Sequence, residues 1–170
     1  MDKEVQVIEK PNKIAIRNRI LAIEAVMRRI PGSFIGDTEN CPLKHTFVDG
    51  AYVREIFMPK GMLITSKIHK FKHPYFVLKG DVSVMTEDGP IRIKAPFSGI
   101  TPVGTKRLLY IHEDTIWITV HVTEETDLKK IESKIIAKNF KELGMEAWDI
   151  EGAFEEEALK LLEFVEKEEK

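Results

Sequence analysis

The chain carries one cysteine, Cys41, in 170 residues, which excludes an internal disulfide and fits a reducing compartment. Charge of either sign is not in excess: 26 basic against 28 acidic side chains leave a formal −2, so no global field recruits nucleic acid. No apolar run approaches the roughly 20 residues that cross a bilayer, and the opening MDKEVQVIEK is too charged for a signal peptide. Glycine-rich phosphate loops and a G-x-S-x-G elbow are both missing. These absences predict a single soluble domain over residues 1–170, located in the cytoplasm, with no nucleic-acid or membrane partner.

What is present falls into three regions. Residues 12–30 place Ile16, Ile20, Ile23, Val26, Met27 and Ile30 at helical spacing, stopped by Pro31-Gly32, with arginines and lysines on the other face as a solvated surface. From residue 43 to 122 short β-rich runs recur: LKHTFV, AYVREIFM, MLITSKI, YFVLK, DVSVMT, PIRIKA, RLLYIH and TIWITVHV. Turn signals such as Asp49-Gly50, Pro59-Lys60-Gly61, Asp88-Gly89 and Glu113-Asp114 separate them, which predicts a β-sandwich or barrel. Residues 125–170 return to helical stripes, first Leu128, Ile131, Ile135, Ile136 and Phe140, then Phe154, Ala158, Leu161, Leu162 and Val165. Two C-terminal helices are expected there.

The most informative stretch is GMLITSKIHKFKHPYFVLKG, from Gly61 to Gly80. Residues two apart in an extended chain share a face, so Lys67 and His69 project together, with His73 following. Its spacing resembles the first motif of the cupin superfamily, G-x5-H-x-H-x3-E-x6-G. Gly61 and Gly80 stand at the glycines, His69 at the second histidine, Lys67 at the first, and His73 at the glutamate. The second cupin motif, P-x-G-x2-H, aligns with Pro102-Val103-Gly104-Thr105-Lys106 and ends on Arg107. The resemblance covers about residues 43–122, and the whole chain is also similar to cupin-like proteins of tailed bacteriophages. It implies a mainly β fold, an eight-stranded jelly-roll barrel with an N-terminal helix and two C-terminal helices. It further implies a homodimer joined through the outer Ile116/Ile118/Val120/Val122 face.

The departures from the motif bear on the chemistry. A cupin metal site has three histidines and a carboxylate, whereas the matching positions here offer Lys67, His69, His73 and Arg107. Arginine stays protonated and lysine seldom ligates at neutral pH, so the first expectation is a barrel without a metal cofactor. Strand alternation adds Tyr75, Val77 and Lys79 after His73, Tyr52, Arg54 and Ile56 on one strand, and Trp117, Thr119 and His121 on another. Arg54, Lys67, His69, His73, Arg107 and His121 would then converge with Tyr52, Tyr75 and Trp117. So many cations repel unless an anion joins them, which predicts a small ligand bearing phosphate or carboxylate, such as a nucleotide or sugar phosphate.

Two enzyme alternatives stay open. One holds a divalent metal (iron, manganese, nickel or zinc) on His69, His73 and His121. The other is metal-free epimerase or isomerase chemistry, with a histidine base and Tyr52 or Tyr75 returning the proton. A structural role in a larger oligomeric particle is a third reading, and it predicts a filled, dry barrel. Single residues also have plain explanations: Arg54 paired with Glu55 or Glu113, His112-Glu113-Asp114 as a polar turn, and Cys41 as a buried thiol instead of half of a Cys41/His45 zinc pair.

Overall fold

The computed structural model describes residues 12–34 and 39–147. The second expected C-terminal helix, from Phe154 to Val165, lies outside them. Helix α1 spans Lys13–Met27 and is capped by Asn12, whose side chain accepts from the Ala15 amide. The strands are β1 (Leu43–Val48), β2 (Ala51–Met58), β3 (Leu63–Thr65), β4 (Ile68–His69), β5 (His73–Thr86), β6 (Gly89–Lys94), β7 (Phe97–Thr101) and β8 (Leu108–Val122). Helix α2 (Leu128–Ile135) runs directly into β9 (Ile136–Ala137), and a 3-10 turn at Lys141–Leu143 follows. Among the described residues no helix is long and apolar enough to cross a membrane.

The fold is mainly β, an antiparallel jelly roll built on two long strands. The order is β1-β2-β8-β5-β6, with β3 added beside β8 and β7 beside β5. The first half of β8 pairs with β3 and with the second half of β5, and its second half pairs with β2 and with the first half of β5. Each long strand therefore serves both layers. Sequence patterning divides β5 at Gly80 and β8 at Glu113-Asp114, but these are bends within continuous strands. The β5–β8 register shifts between Val77 and Val82, and Gly80 takes φ +109° at that point. The expected Asp88-Gly89 hairpin does join β5 to β6, with Thr86 opposite Gly89.

Three buried clusters hold the layers. Val77, Val82, Val84, Ile93, Ile111 and Trp117 pack together in the barrel; Tyr52 packs on Ile131 and Ile135 of α2; Ile68 and Ala137 pack on Phe140. At about 25 cal/mol per Å² of apolar surface, this burial is the main stabilising term.

Several expectations need correction. The first C-terminal stripe is not one helix: after Ile135 the chain extends, and Ile136 and Ala137 pair with His69 and Ile68. Arg17 is not solvated; it is buried, ion-paired with Glu87 of the β5–β6 hairpin, and it lies 5.4 Å from the Phe140 ring centre. Lys79 faces outward because the β5 bulge resets the alternation. Strand β7 was not expected, since FSGIT lacks a period-two pattern. On the outer face Ile116, Ile118 and Val120 are half-buried, and Val122 is 88% exposed.

Gly80 has no room for a side chain. A Cβ there would lie 2.8 Å from the Thr115 Cα and press on its hydroxyl, in a backbone conformation that disfavours L residues. Gly80→Ala should destabilise the fold by about 2–5 kcal/mol, combining positive-φ strain with overpacking. Urea unfolding should show this as a lower midpoint at unchanged m. An unaltered midpoint would mean that the bulge is not a fixed part of the barrel.

Candidate metal and ligand site

Three separate elements bring three histidines together. His121 stands near the end of β8, opposite Tyr52 of β2. His73 begins β5, opposite Thr101 of β7. His69 comes from outside the barrel sheet: it lies on β4, which pairs with β9 from the C-terminal segment. Its carbonyl accepts from the Gly104 amide at 2.8 Å, and the next amide, Lys70, donates to the Ile135 carbonyl at 2.8 Å. Gly104 thus helps to fix His69.

One ring nitrogen from each of His69, His73 and His121 lies within 4.8 Å of the others. Ring centroids are 4.4 Å apart for His69/His73 and for His73/His121, and 5.6 Å for His69/His121. His73 Nδ1 donates to the Phe71 carbonyl at 3.0 Å, which leaves Nε2 with its lone pair. His69 Nδ1, His73 Nε2 and His121 Nε2 are all buried without a hydrogen-bond partner. Buried nitrogens are rarely left so, and each orphan costs about 1–3 kcal/mol.

Burial holds the three imidazoles neutral. It is the leading cause that lowers His69 to about 2, ahead of repulsion from His73, His121, Arg107 and Arg54. Burial, then His73 and Arg54, lowers His121 to about 4. His73 moves the same way, mainly through burial, although its bond to Phe71 opposes the shift.

His69 also forms part of the wall of a cavity of about 1000 Å³, with Arg54, Thr119, Arg107 and Trp117. Arg107 is buried, donates from Nη2 to Thr101 Oγ1 at 2.8 Å, and lies over Tyr75 (5.1 Å) and Trp117 (5.7 Å). Neither Arg54 nor Arg107 has a carboxylate partner among the described residues, so the expected pairing of Arg54 with Glu55 or Glu113 does not form. The Thr119 hydroxyl is buried and unpartnered as well.

Other expected site residues fall elsewhere. Lys67 is exposed at the cavity mouth, ion-paired with Glu132 of α2. Strand β3 ends at Thr65, so the alternation that was to turn Lys67 inward is broken. Tyr52 and Tyr75 are buried in the side-chain clusters and are not on the cavity wall. The Tyr52 hydroxyl and His45 Nδ1 share a 2.7 Å hydrogen bond, and Tyr75 stacks on Trp117 at 4.6 Å. Cys41 lies beside the Met62 sulfur at 3.5 Å while His45 faces Tyr52, so the two form no zinc pair. His112 to Asp114 sit within β8 and not in a turn, and His112 Nε2 meets Ser83 Oγ at 2.7 Å.

The sequence reading missed Lys106. It is buried, and its Nζ bonds Glu24 of α1 and the Ser66 carbonyl, at 3.0 and 2.9 Å. Its place next to Arg107 was the available signal.

No family model matches the chain, and no curated protein sequence does. Solved structures of similar shape include KdgF from Halomonas sp., at 15% identity and TM-score 0.46 over 58% of this chain and 96% of that one. The plu4264 protein of Photorhabdus luminescens has 11% identity and TM-score 0.45, over 63% and 95%. A cupin-2 domain protein from Shewanella frigidimarina has 10% identity and TM-score 0.40, over 48% and 79%.

The lowered imidazoles give a signed pH dependence for the metal-free protein. Above about 6.5 the folded and unfolded chains both hold these histidines neutral. Between 6.5 and about 4 the unfolded chain binds a proton that native His121 refuses. Stability should therefore fall on acidification across that window, on the order of a few kcal/mol, with His69 and His73 adding in the same sense. Urea midpoints at pH 7.5 and 4.5 should show the loss, and His121→Gln should reduce it. Equal midpoints for the parent protein would contradict buried neutral imidazoles.

Proposed function

We propose that this is a cupin-type domain that binds a divalent transition metal through His69, His73 and His121 and holds a small anionic molecule beside it on Arg54 and Arg107. The observation that carries the reading is that one ring nitrogen from each of His69, His73 and His121 lies within 4.8 Å of the others, in a set of rings each of which has one buried nitrogen without a hydrogen-bond partner. A neutral tautomer with a free lone pair is what a metal requires, and the His73 bond to Phe71 supplies the outer partner that orients such a ligand. Imidazole suits zinc, copper, iron and nickel. When bound, an ion on three histidines supplies Lewis acidity at its remaining positions.

The residue-based objection to a metal rested on Lys67 and Arg107 standing in ligand positions. Lys67 is drawn away by Glu132, Arg107 is held by Thr101 and two rings, and His121 provides the third nitrogen. A carboxylate is absent from this set, so a bound ion would leave the site strongly cationic. Arg54 and Arg107 add to that charge, and an anion is its natural complement. A metal-free epimerase is less well supported, because Tyr52 and Tyr75 are turned away from the cavity. A cavity of about 1000 Å³ also argues against a filled structural barrel. In this reading the protein acts in the cytoplasm as a homodimer paired through the outer face of β8. Sequestration in a phage-infected cell is the use to which the sequence resemblance points.

Native mass spectrometry of protein purified without chelator or affinity metal should find one transition-metal ion per chain. His69→Ala, His73→Ala and His121→Ala should each weaken metal binding by at least tenfold to a hundredfold. Arg54→Gln should keep the metal and lose anion affinity about ten- to hundredfold, as expected for one charge-assisted contact. Absence of metal, with zinc titration giving no saturable site, would remove the proposal.

A further inference from the structure

We infer that the ligand of the cavity is an amphipathic carboxylate, with its acid group at Arg54 and an apolar body lying over Ile56, Trp117 and Met58. This rests on the anion-binding reading above and adds the class of molecule.

The β2–β8 register carries the argument. Inward-facing residues of the two strands meet as Tyr52/His121, Arg54/Thr119 and Ile56/Trp117, and then Met58 opposite Thr115. Successive rows are about 7 Å apart. Of these rows, Arg54/Thr119, Ile56/Trp117 and Met58 reach the cavity wall, which therefore changes along one axis from guanidinium and hydroxyl to apolar side chains, while Tyr52 and His121 are not on it. Met62 just before β3, Ile64 on it and Leu109 on the first half of β8 continue the apolar wall. Along the β2–β8 face beyond the arginine row, Ile56, Met58 and Trp117 offer at most an indole N–H to the hydroxyls of a sugar or the second phosphate of a nucleotide, and burying such groups unpaired is costly; the polar lining, Thr65, Ser66, Lys106 and Asn139 among it, belongs to other elements.

The head group follows from the donors that remain. Arg107 already donates to Thr101 and lies against two aromatic faces, so it supplies charge more than hydrogen bonds. Arg54 makes no hydrogen bond or ion pair with another described residue, and its planar fork matches one carboxylate in bidentate fashion. Across from it in the strand register, the buried Thr119 hydroxyl is unpartnered. Among the described residues Glu24 is the one carboxylate on the wall, and it is engaged by Lys106 and Thr65. A cavity of about 1000 Å³ accommodates a body spanning one or two rows, roughly 7–14 Å.

Isothermal titration calorimetry of the full chain, zinc-loaded and metal-free, should use acetate, butanoate, hexanoate, octanoate and decanoate as probes, with inorganic phosphate and octanol alongside. Affinity should rise roughly fourfold per added methylene as far as octanoate. Octanoate should bind at least tenfold more tightly than phosphate or octanol. Arg54→Gln should remove the advantage of octanoate over octanol and leave octanol binding unchanged. Equal affinities along the acid series, phosphate binding more tightly than octanoate, or octanol matching octanoate would each overturn the inference. The metal reading is scored separately. Zinc uptake with a flat acid series would remove the amphipathic ligand and keep the metal; a rising series on protein that takes up no zinc would do the reverse.

Discussion

An interior that gathers basic side chains without carboxylates is the constraint to which the rest of this structure answers. Charging a group in such a place is expensive, so each nitrogen-bearing residue needs a way to avoid it. The histidines give up their protons. Arg107, which cannot, spreads its charge over two ring faces and a threonine hydroxyl. The lysines resolve the problem by position, with Lys106 paired to Glu24 near the mouth and Lys67 paired to Glu132 outside. Acid–base pairs thus ring the opening, while the deeper positive potential is left uncompensated. That asymmetry is what underlies the proposal of an anionic ligand.

The geometry depends on strands long enough to belong to two layers. Because β5 and β8 cross the molecule, their first and second halves face different neighbours, and one end of each delivers a histidine to the same place. The bulge at Gly80 allows β5 to turn without losing its partner. Gly99 on β7 has a related role: a Cβ there would meet the Tyr75 ring at 2.7 Å, so its bareness lets Tyr75 lie flat between that strand and Trp117. Tyr75 in turn supports the Arg107 guanidinium. The cavity charge is therefore seated on a glycine two contacts away.

Much of this arrangement was legible in the residues, for a physical reason. Where a strand is bounded by clear turns and one face is buried, period-two alternation fixes every side chain. Tyr52, Arg54 and Ile56 do meet His121, Thr119 and Trp117 in register. Alternation failed where the backbone breaks step. Lys79 follows a bulge, and Lys67 follows the end of β3, so both point away from the predicted face. Ile136 carries the right spacing for a helix, but pairing with His69 outweighs that propensity, and a periodic stripe cannot announce such a change. Strand β7 has too little apolar content to read as a strand. Arg17 looked like surface because its burial depends on a glutamate seventy positions away.

The β4–β9 ribbon contributes two residue pairs, the smallest β pairing among the described residues, compared with eight between β2 and β8. Stability within a protein is graded, and small, weakly cross-linked units open at a cost well below that of global unfolding. Of the three histidines, His69 therefore sits on the least extensively paired strand, while His73 and His121 belong to the long strands of the barrel. During synthesis the same dependence means that the three-histidine cluster is complete only once residues 136 and 137 have emerged to pair with His69 and Ile68.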